Sequence, residues 1–352
     1  MISDGSHVSE AQRKMLTLQE EFSQAEIGQS TQFRNLTLFP LLRRSAPSRQ
    51  LDYLLLEDGI AQEKVQVSEI HAGGSVSELH LENNAELPVL LVDGEELIGA
   101  KQNRVLNLTI LARAKQTTVI PVSCVEAGRW RMSSAELKTA DHVMYSSGRG
   151  DQLAHVTESM RSNGTRKSNQ AAIWRNIADK AMRLKAASPT GAMADIYERY
   201  AGAVEEFARA FAWQEGQCGV AFAINGRIQG LEIFDHPEVM RRFFQKLVRS
   251  YALDALDSPA ANETASVEAV CALVTQIGAA QSFSKQALGL GRDVRFNGSD
   301  ISGASLWAHE RYVHILPSRR MPRIQRLLAS GLASADLATA ACFELSRRAF
   351  RQ

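Results

Sequence analysis

The chain has 352 residues, with 40 Lys and Arg against 39 Asp and Glu, 45% hydrophobic residues and 22% charged ones. That length leaves room for one large domain or two modest ones around a sizeable core. The even charge balance gives no support to a general attraction to nucleic acid or anionic membrane, and apolar runs such as Pro88–Val92 fall far short of the roughly 18 residues that read as a bilayer-spanning helix.

The stretch Met1–Phe22 is polar and lacks the basic-then-apolar order of a secretory signal, so a cytoplasmic protein is expected. Met15, Leu18 and Phe22 recur at helical spacing, which marks residues 1–31 as a helical or flexible N-terminal arm. Residues 32–135 then read as a β-rich domain. Short apolar runs punctuated by Asn, Gly, Asp and Pro predict strands near Leu36–Phe39, Leu51–Leu56, Val65–Glu69, Ser77–Glu82, Val89–Val92, Arg104–Leu111 and Thr118–Val125. Their short connections favour an antiparallel sandwich or barrel over a βαβ series.

Residues 136–317 read as a helical region with returning β-hairpins, either separate from the β-rich part or one unit with it. Helices are expected near Asp151–Ser162, Asn169–Lys185 and Met193–Phe211, with Ser188-Pro189-Thr190-Gly191 as the break. Asn225-Gly226 between Cys218–Ile224 and Ile228–Phe234 is the strongest turn signal, since a type I′ turn needs two residues of positive φ. Pro237 opens a helix to about Asp254 and another covers Thr264–Ile277. Strands return near Asp293–Asn297, Gly303–His309 and Tyr312–Leu316, with a turn at Asn297-Gly298. Residues 318–352 read as a basic C-terminal helix. From 317 onward seven Arg face two acids, an excess that also marks Arg149–Lys185 and reads either as a solvated face or as a phosphate-binding surface. The fold class is therefore α+β.

The densest polar stretch is Asp93–Asn107, directly after the apolar Val89–Val92. If Arg104–Leu111 extends back as a strand, Gln102, Arg104, Leu106, Leu108 and Ile110 share one face. Assuming a register that pairs Ile110 with Ile120, Leu106 falls opposite Cys124 and Arg104 opposite Glu126, with Lys101, Asn103 and Asn107 on the other face. Two readings follow. One is a structural salt bridge within a satisfied polar rim. The other is a pocket in which Lys101, Gln102, Asn103, Arg104, Asn107 and Glu126 meet a phosphorylated ligand, while Asp93, Glu95 or Glu96 supplies a catalytic base, a metal ligand or a ribose acceptor.

Other motifs are weaker. Cys124 beside Arg104 has the setting of a nucleophile but lies in a strand interior, where Cys usually acts as a small hydrophobe. Ser188–Gly191 suits either a phosphate or an ordinary helix cap. Glu232, Asp235, Tyr251 and Asp254 read as structural groups. His309 and His314 can share a metal only if Glu310-Arg311 is a turn, and four widely spaced cysteines give neither a zinc site nor a disulfide framework. No metal site made of protein groups alone is expected, although a Mg²⁺ held by carboxylates and a substrate's phosphates fits the pattern. Gly289-Leu290-Gly291 does not complete a dinucleotide fingerprint.

Asn35–Leu41, Leu54–Gly59, Val67–Glu69, Asp93–Asn107, Ile120–Glu126, Gly128–Trp130, Ser188–Gly191 and Ser250–Asp254 together resemble the ARPP-1 family, a domain associated with ADP-ribosylglycohydrolases and rhodanese-phosphatases. The resemblance spans about Phe33 to Pro317 and is most specific at Asp93–Asn107 and Ile120–Trp130. It implies a role in nucleotide or ADP-ribose metabolism, whether as enzyme or sensor, and implies no established catalytic residues. A different class of function, a non-catalytic assembly module that docks a protein partner through its terminal helices, is the alternative.

Overall fold

A computed structural model describes residues 17–43, 50–71, 73–134, 136–261 and 263–319. Most of the N-terminal arm and residues 320–352 of the expected C-terminal helix lie outside them, and Ser318 and Arg319, where that helix is expected to begin, end a strand instead because they pair across the sheet with Ser302 and Ile301. The fold is α+β and almost wholly antiparallel, with a curled half-barrel in the N-terminal part and helices after it.

The chain starts with α1 (Leu18–Ser23), β1 (Ala25–Ile27), β2 (Thr31–Phe33) and β3 (Leu36–Arg43). The half-barrel region follows: β4 (Leu54–Leu55), α2 (Leu56–Ala61), β5 (Val65–Glu69), β6 (Glu78–Asn83), β7 (Val89–Leu91), β8 (Glu95–Gly99), β9 (Arg104–Leu106), β10 (Ile110–Ala112), β11 (Gln116–Cys124) and β12 (Leu137–Val143). Helices α3 (Ser146–Ser162), α4 (Gln170–Arg183), α5 (Met193–Arg199) and α6 (Ala201–Ala210) lead to the hairpin β13 (Gln217–Ile224) and β14 (Arg227–Phe234). Then come α7 (Pro237–Leu256), α8 (Val267–Gly278), β15 (Gln281–Gln286), β16 (Arg292–Asn297), β17 (Ile301–Ala308) and β18 (Arg311–Arg319).

The large sheet runs β1-β3-β13-β14-β18-β17-β16-β15, with β2 also on β3. Along β13, Val220, Phe222 and Ile224 face a core shared with α6 and α7, while Ala221 and Ala223 face a second core closed by α8 and α1. Burial on both faces explains why Cys218–Ile224 reads as a continuous apolar run. The Asn225-Gly226 turn forms as expected, with φ of 49° and 71°.

The six-stranded sheet β12-β8-β9-β11-β6-β5 encloses a core of Val65, Val67, Leu79, Leu81, Leu97, Leu106, Ile120 and Val122, beside a three-stranded sheet β10-β7-β4. Four differences from the sequence reading have local causes. The expected strand Arg104–Leu111 divides into β9 and β10, because the buried Asn107 side chain accepts hydrogen bonds from Ser123 (2.7 Å) and Gln152 (2.6 Å) between them. Leu51–Leu56 yields only a two-residue strand before α2, whose first turn carries Glu57 and Asp58 at the favourable end of the helix dipole. Met193–Phe211 breaks at Tyr200, where its hydroxyl donates to Leu184 O at 2.6 Å. The segment Glu95–Gly99, read as a polar loop, is a strand whose two glutamates are buried.

Candidate functional site

Two clusters of buried polar groups draw on the Asp93–Asn107 stretch. The first is built around Arg149 in the first turn of α3. Its Nη1 and Nη2 donate to both oxygens of Glu232 on β14, at 3.0 and 2.8 Å, and its Nε reaches Asp93 at 3.3 Å. His314 Nε2 lies 2.9 Å from Glu232 and its Nδ1 2.7 Å from Thr109 Oγ1, while Tyr251 donates to Glu232 at 3.3 Å. Burial alone would raise the Glu232 pKa, but Arg149 and His314 overcome it and hold it at about 2. Asp93 goes the other way, because burial raises its pKa against the pull of Arg149, Arg295 and His314. Gly94 is what lets the guanidinium in: a Cβ there would lie 2.5 Å from Arg149 Nε.

The second cluster surrounds the turn from β8 to β9. Glu96 lies 2.7 Å from His142 Nε2 and accepts from Asn103 at 3.2 Å. His142 also meets Asp141 at 3.0 Å and stacks on Tyr197 at 3.8 Å. Burial works against its charge, yet the bonds to Asp141 and Glu96 raise its pKa to about 9. Glu126 accepts from Asn103 N (3.1 Å) and Thr190 (3.1 Å) and pairs with Arg129 at 2.7 Å. Gln102 and Cys124 both donate to Glu126 O, at 2.9 and 3.3 Å.

Arg104 lies beside this network and is far less satisfied. Its side chain is 0% exposed, its Nη2 donates to Ser75 O at 3.2 Å, and its nearest carboxylate is Glu69 at 3.9 Å. Nε and Nη1 are buried without a protein partner, as is Gln102 Oε1. Trp130, 47% exposed, holds its ring 5.7 Å from the Arg104 guanidinium and 5.4 Å from Lys101 Nζ. Two cations thus meet one aromatic face, that of the exposed Trp130 ring.

The structure therefore divides the residues that the sequence singled out. Lys101, Gln102, Asn103, Arg104 and Glu126 come together with Glu96. Asp93 belongs to the Arg149 cluster. Glu95 accepts from Val92 N at 2.7 Å, and burial raises its carboxyl to about 7. Asn107 donates to Arg166 O at 3.1 Å as well as accepting from Ser123 and Gln152. The expected register is corrected by two residues: Arg104 pairs with Cys124 and Leu106 with Val122, while Ile110 pairs with Leu91 in another sheet. The expected Arg104–Glu126 ion pair is accordingly replaced by Glu126–Arg129, an i,i+3 pair beyond the end of β11.

Arg129, His142, Arg149 and Trp130 were not singled out. Gly128-Arg129-Trp130 entered only as part of a resemblance, and the helix that carries Arg149 begins earlier than its apolar period shows. Burial raises the Cys124 pKa, so its thiol stays protonated and is not an activated nucleophile. Thr190 serves Glu126, and Ser188 caps by accepting from Ala192 N at 2.8 Å. The turn after β17 lies at His309-Glu310; His309 bonds Asp52 while His314 bonds Glu232, so the two histidines have separate partners. Among the described residues no group of three or more His, Cys, Asp or Glu is placed to hold a metal, and no helix is long and apolar enough to cross a membrane.

Residues 24–316 match the ARPP-1 domain, described as the ARG and Rhodanese-Phosphatase-superfamily-associated Protein domain. The chain belongs to the ARPP-1 family. The match takes in both polar clusters, every strand but the last three residues of β18, and all the helices after the half-barrel. The ARPP-1 name records an association with the ADP-ribosylglycohydrolase and rhodanese-phosphatase superfamilies. No curated protein and no solved structure matches the chain.

Proposed function

We propose that this ARPP-1 protein binds, and processes, an ADP-ribose-like or other phosphorylated nucleotide ligand at the site formed by Lys101, Gln102, Arg104 and Trp130. One observation carries the reading: a fully buried guanidinium with two nitrogens, Nε and Nη1, that no protein acceptor takes. A buried cation left short of acceptors is costly, and a phosphate oxygen supplies what it lacks. Lys101 adds a second positive charge, and the exposed face of Trp130 offers a stacking surface for a base. Glu69 is the carboxylate nearest to this arrangement, and Glu96 and Glu126 follow in the adjoining network; these acids take ribose hydroxyls or serve as a base. The chemistry acts in nucleotide or ADP-ribose metabolism, in keeping with the family's associations.

Thermal shift with ADP-ribose, NAD and mononucleotides, each with and without Mg²⁺, tests this. A ligand at 100 times its Kd adds about 2.7 kcal/mol of stability. A shift that disappears in Arg104→Met is the expected result. Unchanged melting with every compound at millimolar concentration defeats the proposal.

A further inference from the structure

Asp93, Thr109, Asp293, Arg295, Ser305 and His314, with three apolar side chains, line a cavity of about 10 Å³ between the half-barrel region and the large sheet. Its walls come from both layers: Asp93 and Thr109 from the first, Asp293 and Arg295 on β16, Ser305 on β17 and His314 on β18 from the second. All but one of these residues are buried polar groups, and their bonding accounts leave a specific remainder. Asp293 takes Arg295 Nε at 2.7 Å and Nη2 at 3.1 Å, so Nη1 is left over. Arg149 engages one oxygen of Asp93 and leaves Oδ2. Both nitrogens of His314 are used, whereas Ser305 Oγ has no partner.

The remainder is thus one carboxylate oxygen, one guanidinium nitrogen and one hydroxyl. A halide would face the Asp93 carboxylate and a metal cation would face the Arg295 guanidinium, so each meets a repulsive wall. A molecule that both accepts and donates suits all three groups, and the volume matches one water. We propose that this cavity is a binding site for a single internal water that bridges Asp93 Oδ2, Arg295 Nη1 and Ser305 Oγ and so joins the two layers. Asp93 is then a structural group. The site is independent of the ligand site at Arg104.

A crystal structure of the full chain at high resolution tests the assignment. One spherical density peak within hydrogen-bond distance of all three atoms is expected. An empty cavity, or an anomalous peak there after a bromide soak, overturns it. Water-¹⁷O relaxation dispersion gives a solution readout: Ser305→Val fills the space and is expected to remove one long-lived water, whereas Ser305→Ala keeps it. An unchanged count in a folded Ser305→Val protein also overturns the proposal.

Discussion

Arg149 and Arg104 are both buried arginines attached to the same stretch of half-barrel, yet they sit in opposite electrostatic circumstances. Arg149 spends three nitrogens on two carboxylates, and its guanidinium is held charged far more firmly than usual because Glu232 and Asp93 outweigh the cost of burial. For Arg104 burial prevails and its pKa is lowered, with one bond to a carbonyl and a carboxylate no closer than 3.9 Å. Depth alone does not mark a functional residue; an unmet bonding demand close to the surface does. The first arginine ties elements together, and the second is the one we propose takes an anion.

The largest effect is expected where the ties are complete. Arg149→Met leaves Glu232 and Asp93 buried without their cation and should cost about 3–5 kcal/mol in urea unfolding. A loss below about 1 kcal/mol would show that the Glu232–His314–Tyr251 contacts suffice and would erase the contrast.

The pH dependence of stability sharpens it. His142, raised from 6.5 to about 9, contributes fully below pH 6.5, and that contribution is lost as pH rises through 9. Glu95, raised from 4.5 to about 7, favours the folded state below pH 4.5 and loses that advantage as pH rises through 7. Glu232, lowered from 4.5 to about 2, works at the other end: its contribution is present above 4.5 and lost as pH falls through 2. Stability should therefore peak between these limits and fall on the alkaline side, by at most about 3 kcal/mol for His142 alone. Unfolding curves from pH 4 to 9.5 for wild type, His142→Gln and Glu95→Gln separate the two alkaline limbs. A wild-type profile that rises with pH across this window contradicts both assignments.

Arg104→Met should change the stability of the free protein by less than about 1 kcal/mol, because exchanging a half-satisfied buried cation for an apolar side chain of similar length is often neutral. Its response to nucleotides should vanish. An early melt instead would mean that Arg104 and Glu69 support one another, and a double-mutant cycle over the pair would then show strong coupling. The smallest effect belongs to Trp130→Ala, about 0.5–1 kcal/mol from the lost cation–π contacts, read by chemical denaturation.

Much of the architecture was legible because local patterns agreed with the final burial. Val65–Glu69 and the Asn225-Gly226 hairpin are examples, since alternation or turn chemistry specifies each without distant help. Segments with the wrong polarity for their place were not legible. Glu95 and Glu96 made β8 look like a loop, and Gln281–Gln286, with Phe283 as its sole large apolar residue, gave no strand signal although it pairs along its whole length with β16. The polar stretch Asp93–Asn107 drew attention correctly as a concentration of buried chemistry. Its partners did not follow, because Arg149, His142, Glu232 and His314 arrive from remote parts of the chain by tertiary packing. The register error has a similar source: alternation fixes which face a residue occupies but not which neighbour it meets.

The pairing of β3 with β13 carries a consequence for the order of events during synthesis. Leu41 accepts a bond from Cys218, 177 residues later, so β3 finds its central partner only after the whole half-barrel and four helices have emerged. At about 5–20 residues per second that interval lasts roughly 10–35 s. Through it Leu36, Leu38, Phe39 and Leu41 lack the cores they later occupy, whereas Val65–Val143 already holds the strands of its own enclosed core. The half-barrel is thus the natural early-folding unit. The nascent chain exposes an unclosed apolar strand for that time, a demand that chaperones or β1 and β2 folding back on β3 must meet.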